Sequence, residues 1–238
     1  MKIDILAIGA HPDDIELNCA GTLIQHMTMG YKVGLLDLTK GELGTRGNAT
    51  IRMAEAKAAA KILGVEFREN LNLKDGWFTN DEKSKLKLIQ MIRKYQPDIV
   101  ICNAIRDRHP DHGRASQLVS EACFYAGLEK IKTHDKKKNQ KTWRPKNIFH
   151  CIQDRYIKPD FVIDVTPVVE KKMEAILAFS SQFYNPKSKD PETPISGKLF
   201  LDFVKSRMIE LGREAGLDFA EGFTVERYPS VDSLFVLK

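Results

Sequence analysis

The sequence predicts an α/β fold: a Rossmann-like, mostly parallel sheet with helices on both faces. Three observations carry this. Short runs of strand length alternate with segments of helical period, and the runs are apolar at nearly every position instead of every second one. That combination marks βαβ units whose strands are buried on both sides. No internal repeat or composition break divides the 238 residues, so residues 1–238 are expected to form a single domain, a length within the range of such folds.

The elements follow in order. Ile3 to Ile8 is a buried strand ending at Gly9, and Ile15 to Met29 is a helix with Ile15, Cys19, Leu23, Ile24 and Met27 on one side and Gly30 as its stop. Lys32 to Leu38 is the next strand. Ile51 to Leu63 is a helix ended by Gly64, and a further strand starts at Val65 to Phe67. Glu82 to Tyr95 places Leu86, Ile89 and Ile92 on a helical face, Asp98 to Cys102 is a strand, and His112 to Ala126 a helix. Strands are expected at Asn147 to Ile152 and Phe161 to Val165. A helix from Pro167 to Phe179 starts on a proline suited to a first turn. Pro186, Pro191 and Pro194 mark a surface loop before a last helix, Lys198 to Leu211.

Composition narrows the function classes. The net charge of +5 is small for this length, and much of the excess lies in Lys130 to Lys141, which reads as a solvated loop. That run lacks the aromatic or helical readers of a nucleic-acid face, so no nucleic-acid partner is expected. Cys19, Cys102, Cys123 and Cys151 form no C-x-x-C pair and lie in or beside apolar stretches, which points to reduced core thiols in a cytoplasmic protein. No signal peptide or membrane span is visible, and no membrane partner is expected.

Ligands of open parallel sheets collect at the carboxyl ends of the strands. The first strand runs into Ala10-His11-Pro12-Asp13-Asp14, where a dinucleotide site would carry glycines. Carboxylates there repel phosphate and attract a cation. The strand ending at Cys102 leads to a second cluster, Asp107-Arg108-His109-Pro110-Asp111-His112. Two imidazoles and a carboxylate suit zinc, and three protein ligands leave a fourth position for water, whose pKa then falls toward about 7. A helix cap would account for one aspartate of H-P-D-D but not for two clusters. Of Asp13 and Asp14 one need bind metal, and the other can serve as general base. His109, three residues before His112, is placed to stay off the metal and donate as an imidazolium to an oxyanion, with Asp111 or Asp107 as its partner.

A-H-P-D-D-x-E after the first strand, G-E-x-G-T-R-G followed by Arg52-x-x-Glu55, and H-P-D-H after a later strand resemble the LmbE-like (PIG-L) family of zinc-dependent N-acetylglucosamine deacetylases. The similarity extends to K-P-D-F-x-I-D-V (158–165), S-Q-F (181–183) and A-E-G-F (220–223). Those later segments resemble the bacillithiol-biosynthesis branch, which hydrolyses N-acetylglucosaminyl-malate to glucosaminyl-malate and acetate. The resemblance implies that His11, Asp14 and His112 bind one zinc ion per chain. It makes Asp13 the general base, gives His109 the tetrahedral intermediate and assigns Arg52 a substrate contact. It also implies a small-molecule amino-sugar substrate and a homo-oligomer.

Several residues are weaker candidates on sequence grounds. Arg106, Arg108 and Arg144 are candidates for an anionic substrate end, because guanidinium pairs with carboxylate through a two-pronged fork; Arg144 joins Arg52 in the expected substrate-binding set. Arg52 and Glu55 have the spacing of a helical ion pair. Glu16 is expected to support the site through an arginine or backbone partner, and Gln182 to border the pocket.

Overall fold

In the computed structural model, which describes residues 1–237, the first half of the chain forms β1 (Ile5–Gly9), α1 (Asp14–Thr28), β2 (Val33–Asp37), α2 (Ala49–Leu63) and β3 (Phe67–Asn70). It continues through α3 (Glu82–Tyr95), β4 (Ile99–Cys102) and α4 (Pro110–Ala126). A small hairpin, β5 (His134–Asp135) and β6 (Lys138–Asn139), precedes β7 (Asn147–Cys151) and β8 (Phe161–Asp164). The last elements are α5 (Val169–Leu177), α6 (Phe200–Glu214) and β9 (Ala220–Val225).

Seven strands make one sheet in the order β3-β2-β1-β4-β7-β9-β8. β1 pairs in parallel with β2 and β4, β2 with β3, and β4 with β7, whereas β9 runs antiparallel to both β7 and β8. The expected mostly parallel sheet is therefore present. Alternate residues of β1 feed two cores: Ile5 and Ala7 pack with α1, α2 and α5, and Leu6 and Ile8 pack with α3 and α4. Helices thus cover both faces, which is why these strands are continuously apolar in sequence. Strand order reverses between β1 and β4, and the crevice at their carboxyl ends is where such a sheet offers a site.

Local signals explain most boundaries. The Asn48 side chain accepts from the Ile51 amide and starts α2, and Gly64 ends it at φ 87°. Asp81 caps α3 through the Ser84 amide. α4 starts two residues earlier than the apolar period suggested, because Pro110 occupies its first turn and His109 caps it. α5 starts at Val169 after a 3-10 turn over Thr166–Val168.

β9 has no counterpart in the sequence expectations. Its run, Ala220-Glu221-Gly222-Phe223, carries a carboxylate and a glycine where a buried strand is normally apolar. Both are satisfied by tertiary contacts. Glu221 is 2% exposed and faces Lys172 of α5, 1% exposed, at 2.6 Å. The same carboxylate accepts the Gly21 and Thr22 amides of α1 at 2.9 and 2.7 Å, and Lys172 donates to the Leu17 carbonyl at 2.8 Å. This ion pair therefore bolts β9 and α5 to α1. Gly21 permits the approach, since a Cβ there would lie 2.7 Å from Val165 and 2.9 Å from Glu221.

Lys172→Met leaves the Glu221 carboxylate buried without its cation. The expected loss is about 3–5 kcal/mol, read from the urea midpoint, with part of it recovered when Glu221→Gln is added. A single variant within about 1 kcal/mol of the parent would show that the pair does not hold these elements together.

Candidate metal centre and active site

A cavity of about 270 Å³ opens at the carboxyl ends of β1 and β4. Both sequence clusters reach it. His11, Asp13 and Asp14 come from the β1–α1 junction, and Asp107, His109 and His112 from the β4–α4 junction.

Asp14 sits between two imidazoles. Its Oδ1 is 3.1 Å from His112 Nε2 and its Oδ2 is 3.6 Å from His11 Nδ1. Oδ2 also accepts the His11 amide at 2.9 Å and Asn103 Nδ2 at 3.0 Å, and Gln153 Nε2 approaches Oδ1 at 3.3 Å. Asn103 and Gln153 are bonded to each other at 3.0 Å, and each also receives a backbone amide, from Ala10 and Ala104 respectively. Asp14 is thus fixed from β1, β4 and β7 together.

Each imidazole presents one nitrogen to Asp14 and rests the other on a carboxylate. His112 Nδ1 lies 2.6 Å from Asp107, and His11 Nε2 lies 3.0 Å from Asp75 and 3.4 Å from Asp111. Such carboxylate partners fix the tautomer and ring orientation of metal-binding histidines. The residues present therefore fit a divalent cation held by His11 Nδ1, Asp14 and His112 Nε2, a set suited to zinc. The charge balance agrees. Burial disfavours a proton on His11, but Asp111, Asp14 and Asp75 outweigh it and hold its pKa well above the usual imidazole value. His112 is likewise buried and is pushed up to about 9 by Asp14 and Asp107. The carboxylates of Asp13, Asp14, Asp75, Asp107 and Asp111 crowd this centre, so positive charge is favoured in it. Two further groupings have ligand atoms within 4.8 Å of one another: His11 with His109 and His112, which brings His109 to the same centre, and His11 with Asp75 and Asp111, of which Asp111 is already bound to Arg114 and the Gly76 amide.

Asp13 occupies the position before α1 with φ 110°, a strained conformation for a residue with a Cβ, and makes no helix-cap bond. Arg52 of α2 holds it there: one guanidinium nitrogen bonds both the Pro12 carbonyl and Asp13 Oδ2, the latter at 2.8 Å. Desolvation raises the Asp13 pKa to about 7 against the opposing pull of Arg52. Arg52 also donates to the Gly41 carbonyl at 3.4 Å. Gly41, at φ 65°, belongs to the G-E-x-G-T-R-G loop, and a Cβ there would lie 2.0 Å from the guanidinium.

Several expected contacts are corrected. Arg52 lines the cavity, but its guanidinium is committed to Asp13 and backbone. Arg52 and Glu55 are not an exposed ion pair: both are buried, and Glu55 accepts from Ser180 and Ser181, anchoring the S-S-Q-F segment. Gln182 borders the cavity as expected while donating to the Arg46 carbonyl. Glu16 does have an arginine partner, Arg68 at 2.5 Å, which also grips Asp37 with two bonds. Arg144 lies away from the cavity; it donates to the Phe124 carbonyl at the end of α4 and stacks over the Phe124 ring. A cation at a helix C-terminus is favoured by the exposed carbonyls, which explains it without a substrate.

His109 faces the cavity, its ring 4.7 Å from that of His11 and 5.1 Å from that of His112. The expected carboxylate partner is missing, because Asp107 is taken by His112 and Asp111 faces His11. Instead His109 Nδ1 accepts the Asp111 amide at 3.2 Å, which leaves Nε2 to carry the proton of a neutral ring. Burial and the neighbouring His11 and His112 lower its pKa, so a neutral donor replaces the expected imidazolium.

Three supports escaped sequence reasoning: Asn103, Gln153 and Asp75. Asn103 and Gln153 closely follow apolar strands at the functional edge, a positional signal available without a motif. Asp75 stands in the loop after β3, and its carboxyl is pulled down to about 2 by the His11 imidazole and the Leu43 amide against the cost of burial.

Comparison with known proteins places this geometry. Residues 6–123 match the model of the PIG-L family, described as GlcNAc-PI de-N-acetylase. A crystal structure of the conserved protein TT1542 from Thermus thermophilus superposes with a TM-score of 0.85 at 32% identity, covering 98% of both chains. The diacetylchitobiose deacetylase of Thermococcus kodakarensis is 29% identical over 92% of this chain and 81% of its own. The 4-oxalmesaconate hydratase of Pseudomonas putida is also 29% identical, over 74% of this chain and 73% of its own. With its H-P-D-D and H-P-D-H segments meeting at one buried carboxylate, the chain belongs to the PIG-L family.

Proposed function

We propose that the chain is a zinc-dependent amide hydrolase that removes the acetyl group from an N-acetylglucosamine conjugate. The observation that carries this reading is Asp14 held between His11 Nδ1 and His112 Nε2, with the Arg52-bound Asp13 beside it in the same cavity. Zinc held by His11, Asp14 and His112 supplies electrophilic activation of the amide carbonyl and acidifies water. Arg52 engages Oδ2 of Asp13, so Oδ1 is the oxygen that takes a proton from the attacking water. Water oxygen bonds to the acetyl carbon, and the carbonyl oxygen gains charge that the His109 Nε2–H group stabilises. When the carbon–nitrogen bond breaks, Asp13 delivers its proton to the departing nitrogen. The products are acetate and the free amino sugar.

The hydratase relative raises a second reading, addition of water to an unsaturated carboxylic acid. That substrate is a multiple anion and needs free cations. Every cationic side chain lining this cavity is already engaged: Arg52 by Asp13, Lys172 by Glu221, Arg108 by Asp154, and Arg207 by two carbonyls and Glu210. Arg108 is the least committed of these, because its pair with Asp154 is solvent-exposed, so within the deacetylase reading a carboxylate-bearing aglycone such as malate has a cation to meet. Acetate release from N-acetylglucosamine conjugates, with and without chelator, separates the readings. Water addition to an unsaturated dicarboxylate without any acetate release would favour the hydratase.

Asp13→Asn is expected to reduce kcat by about 10²–10⁴-fold while zinc content stays near one per chain, whereas Asp14→Asn loses zinc. Arg144→Ala should leave kcat/KM within about twofold. Equal zinc loss in both aspartate variants, measured by elemental analysis, contradicts this division of roles.

Asp107→Asn tests the support of His112. Zinc affinity, measured by competition with a chromogenic chelator, is expected to fall about 10–100-fold. Unchanged affinity would mean that His112 does not depend on this carboxylate for its ligating orientation.

A further inference from the structure

A group of buried polar side chains outside the cavity bears on Asp14. His150 of β7 is 3% exposed, sits opposite Cys102 in the β4–β7 register and does not line the cavity. Its Nε2 lies 2.9 Å from a carboxylate oxygen of Glu226, the residue that follows β9. Burial opposes ionisation of Glu226, but His150 and the Ser120 hydroxyl outweigh it and hold its pKa below the usual carboxylate value. His150 Nδ1 meets three groups: Ser116 Oγ of α4 at 2.8 Å, Cys102 Sγ at 3.2 Å and the Asn103 carbonyl at 3.2 Å.

These partners fix the protons of the ring. An ionised carboxylate only accepts, so Nε2 carries a proton. A carbonyl also only accepts, and a bare Nδ1 would set its lone pair against those of the Asn103 oxygen. The Ser116 hydroxyl and the Cys102 thiol can each accept, so a proton on Nδ1 suits all three neighbours. His150 therefore donates from both nitrogens. Glu226, whose side chain is 36% exposed, balances the charge that this places beside β7.

Asn103 carries the consequence to the metal centre. It is the first residue beyond β4, and its side chain reaches across to β1 and α1: Oδ1 accepts the Ala10 amide at 2.8 Å, and Nδ2 donates to Asp14 Oδ2 at 3.0 Å. The Ala10 amide thus goes to the side chain of Asn103, while the carbonyl faces His150. One residue is held at its backbone by His150 and at its amide by Ala10 and Asp14. Without the donor at position 150 a buried carbonyl loses a partner, and the peptide bearing the Asn103 side chain is freer to turn away from Asp14.

We propose that His150, kept in place by Glu226, is a positioning residue for the metal centre: it donates to the Asn103 carbonyl and so holds the Asn103 amide on Asp14. This rests on the reading of Asp14 as a zinc ligand.

Two measurements on the full chain test it. In the metal-free protein, nitrogen NMR spectra of the histidine side chains are expected to show both His150 nitrogens protonated at neutral pH, and a single protonated nitrogen in Glu226→Gln. The parent spectrum needs no variant, so it keeps the test available where a variant fails to fold. Zinc affinity is then measured by competition with a chromogenic chelator. An asparagine places its amide nitrogen where Nδ1 stands, and a glutamine where Nε2 stands. His150→Asn is therefore expected within about twofold of the parent and His150→Gln about five- to tenfold weaker, the effect of one lost buried hydrogen bond. In an Asn103→Ala background the further loss from His150→Gln should vanish, because the two residues act in series. A bare Nδ1 in the parent, equal losses in the asparagine and glutamine variants, or a glutamine loss that adds in full to that of Asn103→Ala each overturn the role. Zinc uptake by the parent that His150→Gln leaves unchanged overturns this role alone, whereas a parent that takes up no zinc overturns the metal reading and this role with it.

Discussion

Asp14 is the constraint on which the remaining structure depends. A carboxylate buried to 5% exposure is destabilising unless each oxygen is satisfied, and this one draws partners from four parts of the chain. The His11 amide, Asn103, Gln153 and His112 all point at it, from the ends of β1, β4 and β7 and from α4. Only a parallel sheet brings the carboxyl ends of those strands to one edge. The reversal of strand order between β1 and β4 then opens the crevice in which the imidazoles face each other. Fold and site are thus one electrostatic problem: the sheet gathers the dipoles and donors that make a buried anion tolerable, and the anion orders the loops.

The same logic extends outward from the centre. Asp75 and Asp107 hold the outer nitrogens of His11 and His112, so that the inner nitrogens meet Asp14. Arg52 neutralises Asp13 and simultaneously bonds the Pro12 carbonyl, tying the strained backbone at φ 110° to α2. Its position in turn requires Gly41, because any side chain there would collide with the guanidinium. One arginine therefore connects the G-E-x-G-T-R-G loop, the H-P-D-D turn and the R-x-x-E helix, three segments that look independent in sequence. Glu55 adds a fourth by gripping Ser180 and Ser181. Strain at Asp13 is sustainable because these contacts over-determine its geometry.

How much was legible in the sequence depended on the range of the interaction responsible. Strands β1, β2 and β4 and the helices α1 to α4 show in local periodicity, since burial on two faces imposes a mostly apolar run and burial on one imposes a helical stripe, whereas the edge strand β3, Phe-Arg-Glu-Asn, is half-buried and carries no such run. The two His/Asp clusters were visible because each lies a few residues beyond the carboxyl end of a strand. β9 was not, because Glu221 is made compatible with burial by Lys172, forty-nine positions away, and no local rule anticipates that partner. Arg144 misled for the opposite reason: a guanidinium near apolar sequence reads equally as an anion receptor and as a cap for the α4 carbonyls, and only the three-dimensional arrangement separates the two. The partner of His109 failed similarly. Two neighbouring aspartates were available in sequence, and both face other imidazoles in space.

Pairing of charges also bears on what the cavity selects. A site this rich in carboxylates attracts a metal, but its surplus arginines and lysine are consumed in making that richness stable. Arg52 balances Asp13, Arg114 balances Asp111 and Lys172 balances Glu221. Cations that stabilise the catalytic side are then not available to recognise an anionic substrate. The acids and histidines sit on the parallel core of the sheet, while α6 packs on its antiparallel edge, against β8 and β9.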